Sequence, residues 1–295
     1  MSRIRLSENF RAVFYAPFYA TLALGHFARE GLDVELVDSA APGAGVPGLL
    51  DGSIDVAWGG PMRVMKARDA ADGPPLMAFC EVVRRDPFYL IARPGLGPVA
   101  LADLATLRFA SVAEVPTPWL CLQHDLRVEG LDPDALPRIA DRTMPANLAA
   151  LADGSLDVAQ MFEPFAARAE RDGIGRIVHA ASSRGETCYT TFLTTRGAIA
   201  RNRNAFAAMT RATALTQAWL AQTSAQDMVD VVKGFYPDVA PADLRTAFAR
   251  YRDAGLWATD TTVSRVGFDR LAQSLRSGGF IANLPDYDDC VVNLG

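Results

Sequence analysis

The sequence predicts an α/β protein of two similar lobes facing one another across a cleft, and three observations lead there. A nine-residue stretch occurs twice. Leu49-Leu50-Asp51-Gly52-Ser53-Ile54-Asp55-Val56-Ala57 returns 102 residues later as Leu151-Ala152-Asp153-Gly154-Ser155-Leu156-Asp157-Val158-Ala159, with seven of nine positions identical. The plan of strands and helices starts again after a composition break at Pro94-Gly95-Leu96-Gly97-Pro98. Two extended runs, Phe88 to Ala92 and Tyr189 to Thr194, carry the chain from one lobe to the other and back, which describes a hinge.

In each copy of the repeat an apolar helix ends at Asp-Gly, where glycine takes up the left-handed conformation that closes helices. An alternating apolar run then begins a buried strand. The residues after the strand differ: Trp58-Gly59-Gly60-Pro61 in the first copy, Gln160-Met161-Phe162-Glu163-Pro164 in the second. Each ends in a proline suited to the first turn of a new helix. A shared frame with different mouths fits strand-to-helix loops that line a ligand cleft, because open α/β sheets bind at the carboxyl ends of their strands.

The elements follow in order. Ala12 to Tyr15 reads as the first strand, stopped by Ala16-Pro17. Phe18 to Glu30 reads as a helix with Leu22 and Phe27 inward, closed by Gly31. Leu32 to Val37 alternates apolar and acidic residues, the pattern of a strand with one wet face near a sheet edge. A loop at Pro42 to Gly45 leads into the first repeat; then come a helix over 61–71 and a strand at Leu76 to Cys80. Beyond the break lie a strand at Phe109 to Val112, a helix from Pro118 to Glu129, the second repeat, a helix from Pro164 to Asp172 and a strand at Arg176 to Val178. From about Asn202 to Ser277 the chain is helical, broken at Pro237, Pro241 and Gly255. Phe206, Met209, Thr213, Leu215, Trp219 and Leu220 recur at i, i+3 and i+4 spacing, so this tail packs onto a lobe. The expected division is residues 1–90 with 193–295 for lobe 1, including the helical tail, and 91–192 for lobe 2.

Composition narrows the function. With 295 residues, 50% of them apolar and 21% charged, the chain can bury one large core or two modest ones, and two lobes fit the length. Its net charge is −5 and its 29 Lys and Arg residues form no basic run, which argues against a nucleic-acid partner. No apolar run approaches the roughly 20 residues of a membrane-spanning helix. The opening residues lack the apolar core of a secretory signal, so the expectation is a cytoplasmic protein, or a periplasmic one if a leader preceded this sequence. Cys80, Cys121, Cys188 and Cys290 form no C-x-x-C pair, which argues against a disulfide framework or a zinc site. His26, His124 and His179 fall within helices or a strand, and no nucleophile elbow, phosphate loop or metal-spaced carboxylate pair is present. No catalytic residue, metal or cofactor is therefore assigned. An enzyme on this frame would need an acid or base in the cleft, and Glu114, Glu163 and Cys188 are the candidates.

Six stretches now stand in a telling order: Ala16-Pro17-Phe18-Tyr19-Ala20, Gly31-Leu32-Asp33-Val34-Glu35-Leu36, the first Asp-Gly-Ser-Ile-Asp-Val-Ala, Leu101-Ala102-Asp103-Leu104, Gly130-Leu131-Asp132-Pro133, and the second Asp-Gly-Ser-Leu-Asp-Val-Ala followed by Glu163-Pro164. In that order the chain resembles the periplasmic substrate-binding proteins of the sulfonate, nitrate and thiamine-pyrimidine type, the NMT1/THI5-like group. The resemblance covers about residues 10 to 200. It implies a type II periplasmic-binding-protein fold: two α/β lobes, a hinge, and a small molecule held in the cleft by closure. It also implies delivery of that molecule to an ABC transporter permease by a monomeric protein. A thiamine-pyrimidine synthase resembling this group uses a cysteine-rich run that this sequence lacks.

The candidate ligand contacts lie at strand ends. Tyr15 and Phe18 could stack on a planar ligand, though Phe18 equally suits core packing. Gly59 and Gly60 free backbone N–H groups before a helix N-terminus to face an anion, and Trp58 offers a ring face. Arg63, Arg84 and Arg85 are candidate partners for a carboxylate or sulfonate, or solvated arginines with local ion pairs. In the second lobe the candidates are Glu114, Thr117, Trp119, Phe162, Glu163 and Tyr189. The resemblance implies hydroxyl and N–H donors at the turn holding Thr117, which also reads as an N-cap before Pro118. Glu163 could accept from a ring N–H or amine while favouring the start of its helix. A heterocyclic thiamine precursor, a sulfonate or an aromatic carboxylate would each suit such a cleft.

Overall fold

The computed structural model describes residues 1–39 and 41–294. Ten strands form two five-stranded sheets. They are β1 (Ser2–Ser7), β2 (Leu32–Val37), β3 (Val56–Gly59), β4 (Leu76–Arg85), β5 (Tyr89–Ala92), β6 (Phe109–Ala110), β7 (Arg138–Ile139), β8 (Val158–Met161), β9 (Arg176–Ala180) and β10 (Glu186–Thr195). The first sheet runs β2-β1-β3-β10-β4 and the second β7-β6-β8-β5-β9. Their topologies match. In the first, β1 is parallel to β2 and β3, and β10 lies antiparallel between β3 and β4; in the second, β6 is parallel to β7 and β8, and β5 lies antiparallel between β8 and β9. Each antiparallel strand is donated by a crossing from the other half of the chain. The expected lobe boundaries at residues 90 and 192 fall inside these two crossing strands, β5 and β10.

The helices are α1 (Ala16–Ala23), α2 (His26–Arg29), α3 (Gly45–Asp51), α4 (Met62–Asp69), α5 (Thr117–Val128), α6 (Met144–Ala152), α7 (Phe165–Arg171), α8 (Arg196–Gln222), α9 (Ala225–Val232), α10 (Pro241–Asp253), α11 (Arg265–Ser277) and α12 (Tyr287–Cys290). The fold is that of the periplasmic binding proteins. The C-terminal helices cover the first sheet, α8 against α1, α2, β4 and β10, and α11 against α4 and β10. They also reach the second: α10 packs on α7, and α11 on α5.

Two local expectations change. Val13–Tyr15 is a 3-10 turn leading into α1, and the first strand is Ser2–Ser7. Ile4 and Leu6 alternate with Arg3 and Arg5, the period of a half-buried strand, whereas Val13, Phe14 and Tyr15 are all buried together at a helix start. The helix expected over Phe18 to Glu30 is divided at Gly25, whose φ of +69° ends α1. At the sheet edge, β2 sits where its alternation places it.

The repeat has a structural cause. Asp55 accepts hydrogen bonds from Arg5 N (2.8 Å), Nε (3.0 Å) and Nη2 (3.0 Å), and Arg5 Nη2 also donates to the Gly52 carbonyl at 2.7 Å. Asp157 accepts from Arg108 N (3.0 Å), Nε (2.8 Å) and Nη2 (2.7 Å), and Arg108 Nη2 donates to the Gly154 carbonyl at 2.8 Å. Gly52 and Gly154 hold φ of +80° and +76°. In each copy the serine N–H closes an Asx turn on the first aspartate, at 2.8 Å both times. The motif is thus a clasp joining the helix end, the start of β3 or β8, and the neighbouring β1 or β6. Asp157 also receives Arg93 Nε at 2.7 Å. The Arg108 hydrogen bonds, opposed by burial and aided by Arg93, hold its carboxyl well below the usual carboxylate range.

Asp157→Asn should lower unfolding free energy at pH 7 by about 2–3 kcal/mol, since it weakens several charge-assisted bonds at once. A depressed folded pKa contributes stability above the unfolded value of about 3.9 and loses it as pH falls through the lower folded value. In urea titrations the gap between wild type and variant should therefore narrow below about pH 4; a gap that persists unchanged in acid would reject the clasp's charge as its source.

Candidate functional site

Residues that follow β1, β3 and β6 meet beside β10. Asn9, Phe10, Tyr15, Gly60, Arg63, Thr117 and Tyr189 line a chamber of about 30 Å³ between the two sheets. Asn9 organises it. Its Nδ2 donates to the Tyr15 hydroxyl at 3.0 Å, while its Oδ1 accepts from Gly43 N at 2.8 Å and Arg63 Nη2 at 3.2 Å. A side chain at Gly43 would bring its Cβ within 2.8 Å of the Arg63 guanidinium carbon, so glycine there lets the loop close over the arginine.

Arg63 is half-buried, and no carboxylate among the described residues forms an ion pair with it. Burial lowers its guanidinium pKa accordingly. Beside it, burial pushes the Tyr15 phenol up to about 12, against the pull of the Asn9 hydrogen bond and the Arg63 charge. A desolvated cation that bonds an amide oxygen, stands beside a buried phenol and has no carboxylate partner among the described residues is an arrangement that an anion would complete. Across the chamber, Thr117 Oγ1 donates to Met62 Sδ at 2.7 Å, which joins α5 to α4. Thr117 is the first residue of α5; its N-cap is Pro116, so the side chain points to the other half of the molecule and does not cap its own helix.

Phe10 also borders a second, larger space. A groove of about 580 Å³ is lined by Phe10 to Val13, Glu114, Met144, Leu148, Phe162, Phe165, Arg168 and the segment Phe235 to Val239. Glu114 is exposed on its wall, and its Oε1 accepts from Met144 N at 2.8 Å. Phe162 stands edge-on to Phe14 and Phe88, with ring centroids 5.3 and 5.1 Å apart.

The remaining candidates lie elsewhere. Phe18 and Trp58 stack at 4.6 Å in the core behind the chamber, and Gly59 is buried in β3 against Leu193. β4 runs on to Arg85, so the two arginines expected in a loop are held by a strand. Arg84 bonds Glu81 (3.0 Å) and Asp260 (3.1 Å), and Arg85 Nη1 reaches the Ser182 carbonyl at 3.4 Å. Trp119 faces Arg138, whose guanidinium carbon is 4.1 Å from the ring centroid. Glu163 is fully buried, ion-paired with Arg250 of α10, and accepts from Ala167 N at 2.8 Å. Burial pushes its carboxyl up to about 7, against the pull of Arg250. Cys188 is buried in β10, and burial raises its thiol pKa.

Thus Tyr15, Gly60, Arg63, Thr117 and Tyr189 converge on the chamber, and Glu114 and Phe162 on the groove. Asn9 and Phe10 escaped the sequence reading because the first strand was placed ten residues late; the alternation ending at Leu6 would have put both at a strand end. Nothing in the sequence marks Phe235 to Val239, which tertiary packing brings to the groove.

Two substitutions separate the roles. Asn9→Ala should cost about 2–3 kcal/mol of stability, because it leaves buried partners unsatisfied. Arg63→Met should leave the ligand-free protein as stable or raise it by about 1 kcal/mol, since it removes a desolvated charge while keeping volume. Urea unfolding of both proteins measures the contrast, and a large loss in Arg63→Met would mean that the cation is held by a partner after all.

Several known proteins share this architecture. YtlA of Bacillus subtilis (strain 168), whose name assigns it a binding role and nothing narrower, is 26% identical over 295 residues, covering 99% of this chain and 88% of its own. The ligand-binding component of an ABC-type import system from Staphylococcus aureus, solved with zinc bound, matches at a TM-score of 0.76 and 14% identity over 99% of this chain and 97% of that one. The periplasmic aliphatic sulphonate-binding protein SsuA from Escherichia coli matches at 0.74 and 18% identity, over 98% and 96%. Among the described residues no three His, Cys, Asp or Glu side chains are grouped to hold a metal ion, and no helix is long and apolar enough to cross a membrane. Residues 10–232 match the NMT1-like family, and the chain belongs to it.

Proposed function

We propose that this protein binds a small organic anion between its two lobes and acts as the solute-binding component of an ABC importer. The observation that carries the reading is Arg63: a desolvated guanidinium without a carboxylate partner among the described residues, in a chamber walled by both halves of the chain. Two of the proteins it resembles are named for import or for binding a sulphonate. The chamber's chemistry favours a carboxylate or sulfonate over a neutral heterocycle. An incoming anion would bond the guanidinium in a charge-assisted way, and it would lie within reach of Thr117 and Tyr189 on the far wall. Contacts made only when both walls are in place would shift the population towards a closed state, with β5 and β10 as the crossings that flex.

A panel of alkane- and arylsulfonates, aromatic carboxylates and the aminopyrimidine precursor of thiamine, screened by thermal unfolding, tests this. Sulfonates or carboxylates should raise the melting temperature by a few degrees at saturating concentration, and the rise should vanish in Arg63→Met. A response to the neutral pyrimidine alone, or one that survives Arg63→Met, would sink the anion reading.

A further inference from the structure

We infer that a cavity between α8 and α10, apart from the space between the lobes, is a second binding site, and that it takes a neutral aromatic molecule of about one ring bearing an N–H donor. Gln217 and Leu220 of α8, Tyr251 and Arg252 of α10, and Trp257 in the segment that follows wall this cavity of about 200 Å³. It shares no described wall residue with the chamber or the groove, so the inference stands whether or not Arg63 receives an anion.

Gln217 supplies the polar observation. The residue is 3% exposed, and its Nε2 donates to the Glu81 carbonyl at 2.9 Å and to the Asp260 carbonyl at 3.2 Å. Those two bonds fix which atom of the amide is nitrogen and which is oxygen. Oε1 is the atom left over, and it is buried without a hydrogen-bond partner among the described residues. A buried amide oxygen in that condition is destabilising until a donor meets it. The other wall residues do not provide one. Trp257 Nε1 donates to the Phe14 carbonyl at 2.9 Å, and the Tyr251 hydroxyl accepts from Glu163 N at 3.1 Å and donates to the Pro87 carbonyl at 3.3 Å. With their polar atoms engaged, these two side chains have ring surface to offer, centroids 6.0 Å apart and planes at 72°.

Size and charge narrow the ligand. An apolar cavity of roughly 150 Å³ holds benzene, and drug-sized ligands take roughly 300 Å³ or more, so about 200 Å³ suits a single ring with a small substituent. Arg252, which donates to the Thr223 carbonyl, brings a positive charge to the same wall, and that charge opposes an ammonium. An aryl amine or a pyrrole, uncharged at neutral pH, would meet the amide oxygen without that repulsion and lay its ring against Tyr251 and Trp257.

Titration of the ¹⁵N-labelled protein at pH 7 with aniline, its isostere toluene and the ammonium form of benzylamine, followed by NMR, tests the site. Aniline should shift the signals of residues 217–221 and 251–259 and of the Trp257 indole N–H in a saturable way. Its affinity should exceed that of toluene at least fivefold, since toluene has no donor for Oε1, and benzylamine should bind more weakly than aniline. Ala221→Trp, at an exposed position on the cavity wall, should abolish these shifts by filling the space. Gln217→Met should bring the aniline-to-toluene ratio close to one while toluene still binds; if that variant does not fold, the wild-type ratio and Ala221→Trp decide. Equal affinities for aniline and toluene in wild type, or tighter binding of benzylamine, would overturn the ligand class. Aniline binding that survives Ala221→Trp, or no saturable shift up to the solubility limit, as when a water satisfies Oε1, would overturn the site.

Discussion

The fold depends on one carboxylate clasp used twice, half-buried at Asp55 and buried at Asp157. In each sheet the parallel pairing of the two central strands is short: Leu6 with Val56 and Ser7 with Ala57 in the first, Phe109 with Val158 and Ala110 with Ala159 in the second. Two residue pairs give such a contact few ladder bonds. Asp55 and Asp157 make up the difference, each binding the backbone N–H and the guanidinium of the arginine just before the first paired residue of the neighbouring strand. Because the same arginine reaches back to the carbonyl of the helix-ending glycine, one ion pair fixes helix, turn and two strands together. The loops at the opposite ends of those strands are then free to differ without unsettling the frame.

They differ at equivalent places. With the repeat offset of 102, Gly60 corresponds to Phe162; the second mouth is then one residue longer, so that Met62 and Arg63 after Pro61 correspond to Phe165 and Ala166 after Pro164. The first copy supplies a bare backbone and a cation to the chamber; the second supplies two aromatic rings to the groove. The two-fold similarity of the scaffold therefore produces an interface whose halves are chemically unlike, one polar and one apolar, which a symmetric pair of mouths would not achieve.

How much of this was legible in the sequence depends on how local each cause is. The helix ends at Gly52 and the Asp153–Gly154 turn, the buried strands after them, the edge position of β2 and the two crossings follow from periodicity and glycine stereochemistry, which act over a few residues. Arg63 was visible because a first-turn arginine after Gly-Gly stands at a strand end. Arg84 and Glu163 carried the same local signals, yet Asp260 and Arg250, far along the chain, occupy them. Whether a charge is free for a ligand or consumed by a distant partner is a tertiary property. The same limit hid Phe235 to Val239, whose position comes from the packing of Tyr236 on Ala12 and Tyr19. Asn9 was a different failure, a misplaced strand whose correct alternation was present.

The order of strands in the first sheet has a consequence for how the chain assembles. β10 lies between β3 and β4, so more than half of the sequence is synthesised before that sheet gains the strand that joins its two parts. All five strands of the second sheet, by contrast, fall within residues 89–180 in one uninterrupted run. During translation the later-encoded half can complete its sheet first, while β3 and β4 wait with unpaired edges that only residues 186–195 can fill. The lobe that begins the chain is thus the last to be finished, and its exposed edges are where association with another nascent copy would compete with folding.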